Sequence, residues 1–261
     1  MCIEDSVGRG GVNNAADVKT VQILLNLGPS ASLGTTPLEV DGAIGDDTIR
    51  AIEAFERSAL GVADPTGRVD PASPTLEALA ASLPPGPSAL KIHGVMINAT
   101  ARAIDTFADR LIAKMTGRSI DTPRRRAHFL AQVGHESGEL RYTEEIADGR
   151  AYEGRRDLGN TQAGDGPRFK GRGLIQLTGR ANYRAYGATV GIDLLSGDNA
   201  RRVATDPDLA VDVACWFWET RGLNVLADQD DVTAVTRKIN GGLNGFPDRQ
   251  RQLARARFFL V

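Results

Sequence analysis

The chain has little cysteine, little histidine and few aromatic residues, and each shortage removes a class of function. Two cysteines in 261 residues, Cys2 and Cys215, exclude a disulfide framework. Cys215 lies in the apolar run Ala-Cys-Trp-Phe-Trp and reads as a small buried hydrophobe. There are three histidines, His93, His128 and His135. His128 and His135 share a helix face, but His135-Glu136 lacks the second histidine four positions on that a zinc protease carries, so no metal is expected and no cofactor. Aromatics make up 5% of the chain and the basic residues are scattered, which argues against nucleic acid. No apolar run approaches the length of a transmembrane helix, so stable membrane insertion is not expected. The N-terminus, MCIEDSVGRGG, shows neither the basic start nor the apolar core of a signal peptide. The expectation is a soluble product made in the cytoplasm.

What is present is an ordinary globular composition, 41% hydrophobic and 25% charged, long enough for one large domain or two unequal ones. The net charge of −2 hides an asymmetry. Residues 1–86 hold five basic and twelve acidic side chains, a balance of −7, and the remainder hold 26 and 21, a balance of +5. A basic second portion suits an anionic substrate.

Residues 13–83 read as a small helical module. Val18, Val21, Leu24 and Leu25 mark an amphipathic helix, and a turn-rich stretch follows it. Then comes Leu38-Glu39-Val40-Asp41-Gly42-Ala43-Ile44-Gly45, with a second helix starting near Asp46 or Asp47. The pattern recurs in degraded form as Val69-Asp70 followed by Ser73-Pro74-Thr75-Leu76. Such a repeat predicts a compact unit with pseudo-symmetric halves. VDGAIGDDTIRAIEAF resembles the repeat of the peptidoglycan-binding domain found on many cell-wall hydrolases. Leu83-Pro84-Pro85-Gly86-Pro87-Ser88 is a semi-rigid spacer. The expected division is therefore 1–83 as the module, 84–90 as the linker and 91–261 as the catalytic portion.

A long helix is predicted from about Ile97 to Met115, ended by Gly117. The next is capped by Thr122, with Pro123 in its first turn, and delivers Glu136 where Gly138 breaks it. A second carboxylate pair, Glu144-Glu145, follows. Two carboxyl groups facing each other across a groove can divide the work of acid and base; taken alone, though, neighbouring glutamates are usually solvated surface. Glu139, one turn after Glu136, reads as solvated. Residues 146–168 keep no period, and so long a loop predicts a functional wall. In FKGRGLIQLTGRANY, Gly171 and Gly173 flank Arg172. If this segment is extended, Ile175 and Leu177 point inward and Gln176 and Thr178 point the opposite way.

HFLAQVGHESG, the paired glutamates, FKGRGLIQLTGRANY, ACWFWETRGLN and INGGLNGFPDR, in that order, resemble glycoside hydrolase family 19, the chitinase-like group that includes cell-wall-lysing members. The resemblance covers residues 97–261. Together, the two resemblances imply a mainly α protein in which a three-helix peptidoglycan-binding module precedes a larger lysozyme-like helical domain. The family 19 resemblance implies Glu136 as general acid and Glu145 as general base, with Glu144 as the adjacent decoy. Thr178 becomes the water-positioning hydroxyl, Gln176, Asn182 and Asn240 line sugar subsites, and Arg249 contacts the catalytic carboxylates. Inverting chemistry, implied for the family, sets such carboxyls roughly 6.5–9.5 Å apart. Trp216, Phe217 and Trp218 read as core, and His135 as support to Glu136 or simply packed.

The function expected on this resemblance is an endolysin-type muramidase acting on the β-1,4 bonds of bacterial peptidoglycan. With no signal peptide, its release to the wall would depend on a holin-type permeabilising protein. The alternatives are a chitinase with the same residues, a catalytically dead wall-binding protein, or a zinc amidase, the last disfavoured by the shortage of histidine.

Overall fold

A computed structural model of the chain describes residues 2–28 and 36–261. Part of the turn-rich stretch expected after the first helix lies outside them. The chain forms two compact units, Met1–Asn98 with Ala254–Val261, and Ala99–Leu253.

In the first unit a short antiparallel pair, β1 (Val7–Gly8) and β2 (Arg68–Val69), accompanies helices α1 (Ala15–Leu27), α2 (Asp46–Leu60), α3 (Pro74–Ala81) and α4 (Ala89–Val95). The side chains of Asn14, Ser73 and Ser88 accept hydrogen bonds from first-turn amides of α1, α3 and α4, each cap worth about 1 kcal/mol. The two sequence repeats share a physical device. Buried Gln22 on α1 donates to Asp41 Oδ1 at 2.8 Å and accepts from the Gly42 amide at 3.1 Å, which ties the turn ahead of α2. Buried Glu56 on α2 accepts from the Gly67 amide at 2.9 Å and from the hydroxyls of Thr66 and Thr75, which ties the turn ahead of α3.

Compact packing divides the chain differently from the expected cut at 84–90. Helix α4 packs on α1, and the last residues of the chain return to the same unit. The Arg255 guanidinium donates to the carbonyls of Cys2 and Gly94 and to Thr20 Oγ1, and Phe259 lies against Gly94. Those contacts make this unit more than a three-helix module. Within it, the spacer is held by a hydrogen bond from Lys91 Nζ to the Pro84 carbonyl.

The second unit contains α5 (Ala101–Gly117), α6 (Pro123–Glu136), α7 (Asp165–Arg168), α8 (Arg180–Val190), α9 (Arg202–Thr205), α10 (Pro207–Thr220), α11 (Leu223–Asp228), α12 (Val232–Asn240) and the start of α13 (Phe246–Leu260). Helix α5 starts four residues later than its periodicity implies, because Thr100 caps it through the Ala103 amide. The left-handed residue after it is Ser119 rather than Gly117. Helix α10 packs along α5, and α6 lies against α11 and α12. Trp216, Phe217 and Trp218 are buried, and Trp218 meets Phe129 of α6 edge-on at 5.4 Å. This contact anchors the helix that carries Glu136.

Candidate active site

Helix α6 forms where the local signals put it: Thr122 accepts from the Arg125 amide at 3.2 Å and Pro123 opens the first turn. Ala127, Leu130, Ala131 and Gly134 are buried on one side, and Ser137 caps the far end. Glu136 is the last helical residue, its side chain 18% exposed. Its Oε1 accepts from Arg249 Nη2 at 2.6 Å, and the Arg249 side chain is only 2% exposed. Arg249 Nε donates to the Asn244 carbonyl at 3.2 Å, and that same oxygen accepts from Asn240 Nδ2 at 3.0 Å. Glu136, Arg249 and Asn240 therefore belong to one hydrogen-bonded group.

A second group surrounds Glu145. Residues 143–145 run antiparallel to 171–173, with Glu145 N–H donating to the Gly171 carbonyl and Gly173 N–H to the Thr143 carbonyl. Extended backbone sends successive side chains to opposite faces, and here it separates the two adjacent glutamates. Glu144 Oε1 is bound by buried Arg172 at 2.9 Å and faces Lys170 Nζ at 3.4 Å. It lines a cavity of about 580 Å³ together with Arg168, Arg172 and Arg201. Glu145 is engaged differently. Its Oε2 accepts from the Gly171 amide and from Tyr152 Oη, each at 3.1 Å, and its buried Oε1 has no protein hydrogen-bond partner.

Gly171 is where this group closes. A Cβ on it would stand 2.6 Å from Glu145 Oε2 and 2.7 Å from Gln176 Oε1, so any larger residue would displace these two side-chain ends from where they lie. The segment after it is not extended. Residues 172–177 form a tight turn closed by the Arg172–Leu177 bridge, with Gln176 at φ +59° and its Nε2 donating to the Gly173 carbonyl. Gln176 Oε1 is buried without a protein partner. Burial still alternates, Ile175 and Leu177 being inside, but a turn produces it and not a strand. Thr178 Oγ1 donates to the Gln176 carbonyl at 3.0 Å, and Asn182 Nδ2 donates to the Thr178 carbonyl at 2.7 Å.

His135 does not meet Glu136 in any direct bond; its Nδ1 pairs with Asp248 Oδ2 at 2.7 Å, and its ring covers Gly245. His128 pairs with Asp230 instead. Two different carboxylates thus hold the two histidines. Glu139 is half-buried at φ +57° and accepts from Gln252 Nε2, so it is neither helical nor simply solvated. Sequence reading passed over Gln132, Tyr152 and Asn244. Gln132 was detectable as a polar residue on an apolar helix face, one turn before Glu136. Tyr152 sits in a stretch without period, where no local signal marks it.

The 146–168 loop is tied down along its length. Asn160 donates to the Tyr152 carbonyl at 2.8 Å and accepts from the Arg180 amide at 2.8 Å. The Glu153 carboxylate accepts from the amides of Gly164 and Gly166, and Asp165 pairs with Arg180 at 2.6 Å. This bracing delivers Tyr152 to Glu145. The Tyr152 phenol is raised above its ordinary range by burial first and by the Glu145 charge second, so it stays a donor at neutral pH.

Comparison with known proteins identifies the class as a glycoside hydrolase. The family model described as chitinase class I, of glycoside hydrolase family 19, matches residues 96–236. That is more than half of the chain, and the chain belongs to glycoside hydrolase family 19. A glycosyl hydrolase family 19 domain-containing protein of Haemophilus influenzae is 36% identical over 154 residues, covering 47% of this chain and 74% of that protein. An endochitinase of Arabidopsis thaliana is 42% identical over 116 residues, covering 44% of this chain, which spans only 38% of that enzyme. The fold matches a solved bacterial family 19 chitinase with a TM-score of 0.54 at 24% identity, over 66% of this chain and 94% of that one.

Proposed function

We propose that the chain is a peptidoglycan-cleaving glycosidase of the endolysin type, working by an inverting mechanism. Glu136 gives a proton to the glycosidic oxygen as the bond breaks, and Glu145 takes one from the attacking water. The observation that carries this reading is the unequal engagement of the two carboxylates. Glu136 is steadied by one buried guanidinium. Glu145 has one oxygen held by two donors and the other free of protein partners, with lone pairs left for the proton of a water. Glu144 differs in that its Oε1 is ion-paired with the Arg172 guanidinium and faces Lys170 Nζ, whereas the donors on Glu145 are an amide and a phenol. Thr178 positions the water, while Gln176, Asn182 and Asn240 bind sugar.

Peptidoglycan is favoured over chitin by charge. The chain after residue 86 carries a balance of +5, and peptidoglycan bears peptide carboxylates where chitin is neutral. The first unit is read as a wall-binding module that raises the local concentration of the enzyme on an insoluble substrate. Access from the cytoplasm would fall to a permeabilising partner of the holin type. A second reading, a chitinase, draws on the plant relatives, which are named endochitinases.

Mass spectrometry of the ends released from purified peptidoglycan, by wild type and by Glu136→Gln, tests the proposal. New N-acetylmuramic acid reducing ends, absent with the variant, are expected. N-acetylglucosamine ends would point to the chitinase-type cut. Binding without any glycan cleavage would overturn the catalytic reading.

A further inference from the structure

Gln132 and Glu136 lie one turn apart on α6, and i and i+4 side chains of a helix are neighbours. One guanidinium spans both. Arg249 Nη2 donates to Glu136 Oε1 at 2.6 Å, Nη1 donates to Gln132 Oε1, and Nε donates to the Asn244 carbonyl. Gln132 Nε2 in turn donates to Thr236 Oγ1 of α12 at 3.4 Å. Gln132 and Thr236 are 0% exposed and Arg249 is 2% exposed. The amide has one workable orientation here. Arginine only donates, so the Gln132 oxygen must face it, and the nitrogen must face the threonine.

We propose that Gln132 is a positioning residue for the reaction: it holds the Arg249 fork so that Nη2 meets the Glu136 carboxylate at the angle the proton transfer needs. The inference rests on the reading of Glu136 as the general acid. A buried amide is a costly filler in an apolar helix face unless its hydrogen bonds are made, and a Leu or Met would occupy the same volume without that cost. Its presence is accounted for by the guanidinium it engages. Arg249 is too deeply buried to replace the lost acceptor with bulk water. Without Gln132 the planar group turns toward another acceptor, and its other arm carries Glu136 with it. Misplacing a reacting group by about 1 Å costs on the order of 100-fold in rate.

The test measures kcat and KM for reducing-end release from soluble peptidoglycan glycan strands. It compares wild type, Gln132→Met, Gln132→Glu, Arg249→Met, the Gln132→Met/Arg249→Met pair and Glu136→Gln. Gln132→Met should lose about 10- to 100-fold in kcat with KM held within about twofold. Gln132→Glu, which keeps an acceptor, should recover most of that loss. In the Arg249→Met background, Gln132→Met should cost nothing further, because the route through Arg249 is already gone. Wild-type kcat in Gln132→Met, or equal losses in both backgrounds, would overturn the inference, and a purely packing role would show itself as lowered thermal stability alone. Should Gln132→Met not fold, Gln132→Asn asks the same question: its amide is one methylene too short to reach Nη1, and wild-type kcat there would be equally fatal. An active Glu136→Gln would instead defeat the reading of Glu136 itself, whatever Gln132 does.

Discussion

Replacing Arg180 with methionine should destabilise the second unit severely, because it strands a buried carboxylate. Asp165 is 1% exposed. It receives a two-point contact from Arg180, Nε to Oδ2 at 2.9 Å and Nη2 to Oδ1 at 2.6 Å, plus the Gln162 amide at 2.9 Å. Arg180 also donates to Gln162 Oε1 at 2.8 Å and stacks over Phe169 at 4.8 Å. Breaking a buried pair by removing one partner typically costs about 3–5 kcal/mol. At about 2–4 °C per kcal/mol for a unit of this size, the melting temperature should fall by roughly 6–20 °C. Replacing both partners with apolar residues, Arg180→Met with Asp165→Leu, should cost far less, since no charge is left buried.

The pH dependence has a definite sign. The Arg180 guanidinium, through its hydrogen bonds, holds the Asp165 carboxyl below the usual carboxylate range. A depressed folded-state value contributes stability that is present above the unfolded value and is lost as pH falls through the folded one. The gap between wild type and Arg180→Met should therefore be widest at neutral pH and close on acidification. Denaturant melts at pH 7 and in the acid range measure it. A single variant within about 0.5 kcal/mol of wild type at pH 7, or a gap that widens as pH falls, would refute the reasoning.

Two further substitutions probe the neighbourhood of the carboxylates. Gly245→Ala places a Cβ 2.1 Å from the His135 ring at φ +68°, so the His135–Asp248 pair beside Glu136 must shift; a loss of at least about 1 kcal/mol and a drop in glycan cleavage are expected, read by melting and turnover. Tyr152→Phe removes one of the two donors on Glu145 Oε2 and should lower kcat about tenfold with little change in melting temperature. Ultraviolet titration of the wild type should show three of the four tyrosines, Tyr152, Tyr183 and Tyr186, ionising above the ordinary range, and the Tyr152 contribution should vanish in Tyr152→Phe. Because the Tyr152 folded-state value is raised, the stability Tyr152 contributes is complete below the unfolded value near 10 and is lost as pH rises through the folded one.

What could be read from sequence, and what could not, divides by the range of the forces involved. The helix that carries Glu136 was legible because its determinants are local: a threonine cap, a proline in the first turn, an apolar face of small residues and a glycine past the end. Glu144 and Glu145 are adjacent, and no periodicity tells them apart. Their contacts diverge because Gly171 and Arg172, 26 and 28 residues onward, pair with one of them each, the amide taking Glu145 and the guanidinium taking Glu144. The turn at Gln176 was missed for a related reason. A glutamine at positive φ is uncommon, and apolar–polar alternation reads as strand by default. What holds the turn is the Arg172–Leu177 bridge and the side-chain bond to Gly173, neither of which has a compositional signature. His135 shows the limit most plainly. Next to Glu136 in sequence, it would be assigned to support that residue; yet its partner is Asp248, 113 residues away, and Arg249, the next residue along, is the one that reaches Glu136. Neighbours on α6 are thus served by neighbours on α13 in the same order. Sequence proximity identified the two segments, and only helix packing could decide which side chain each would meet.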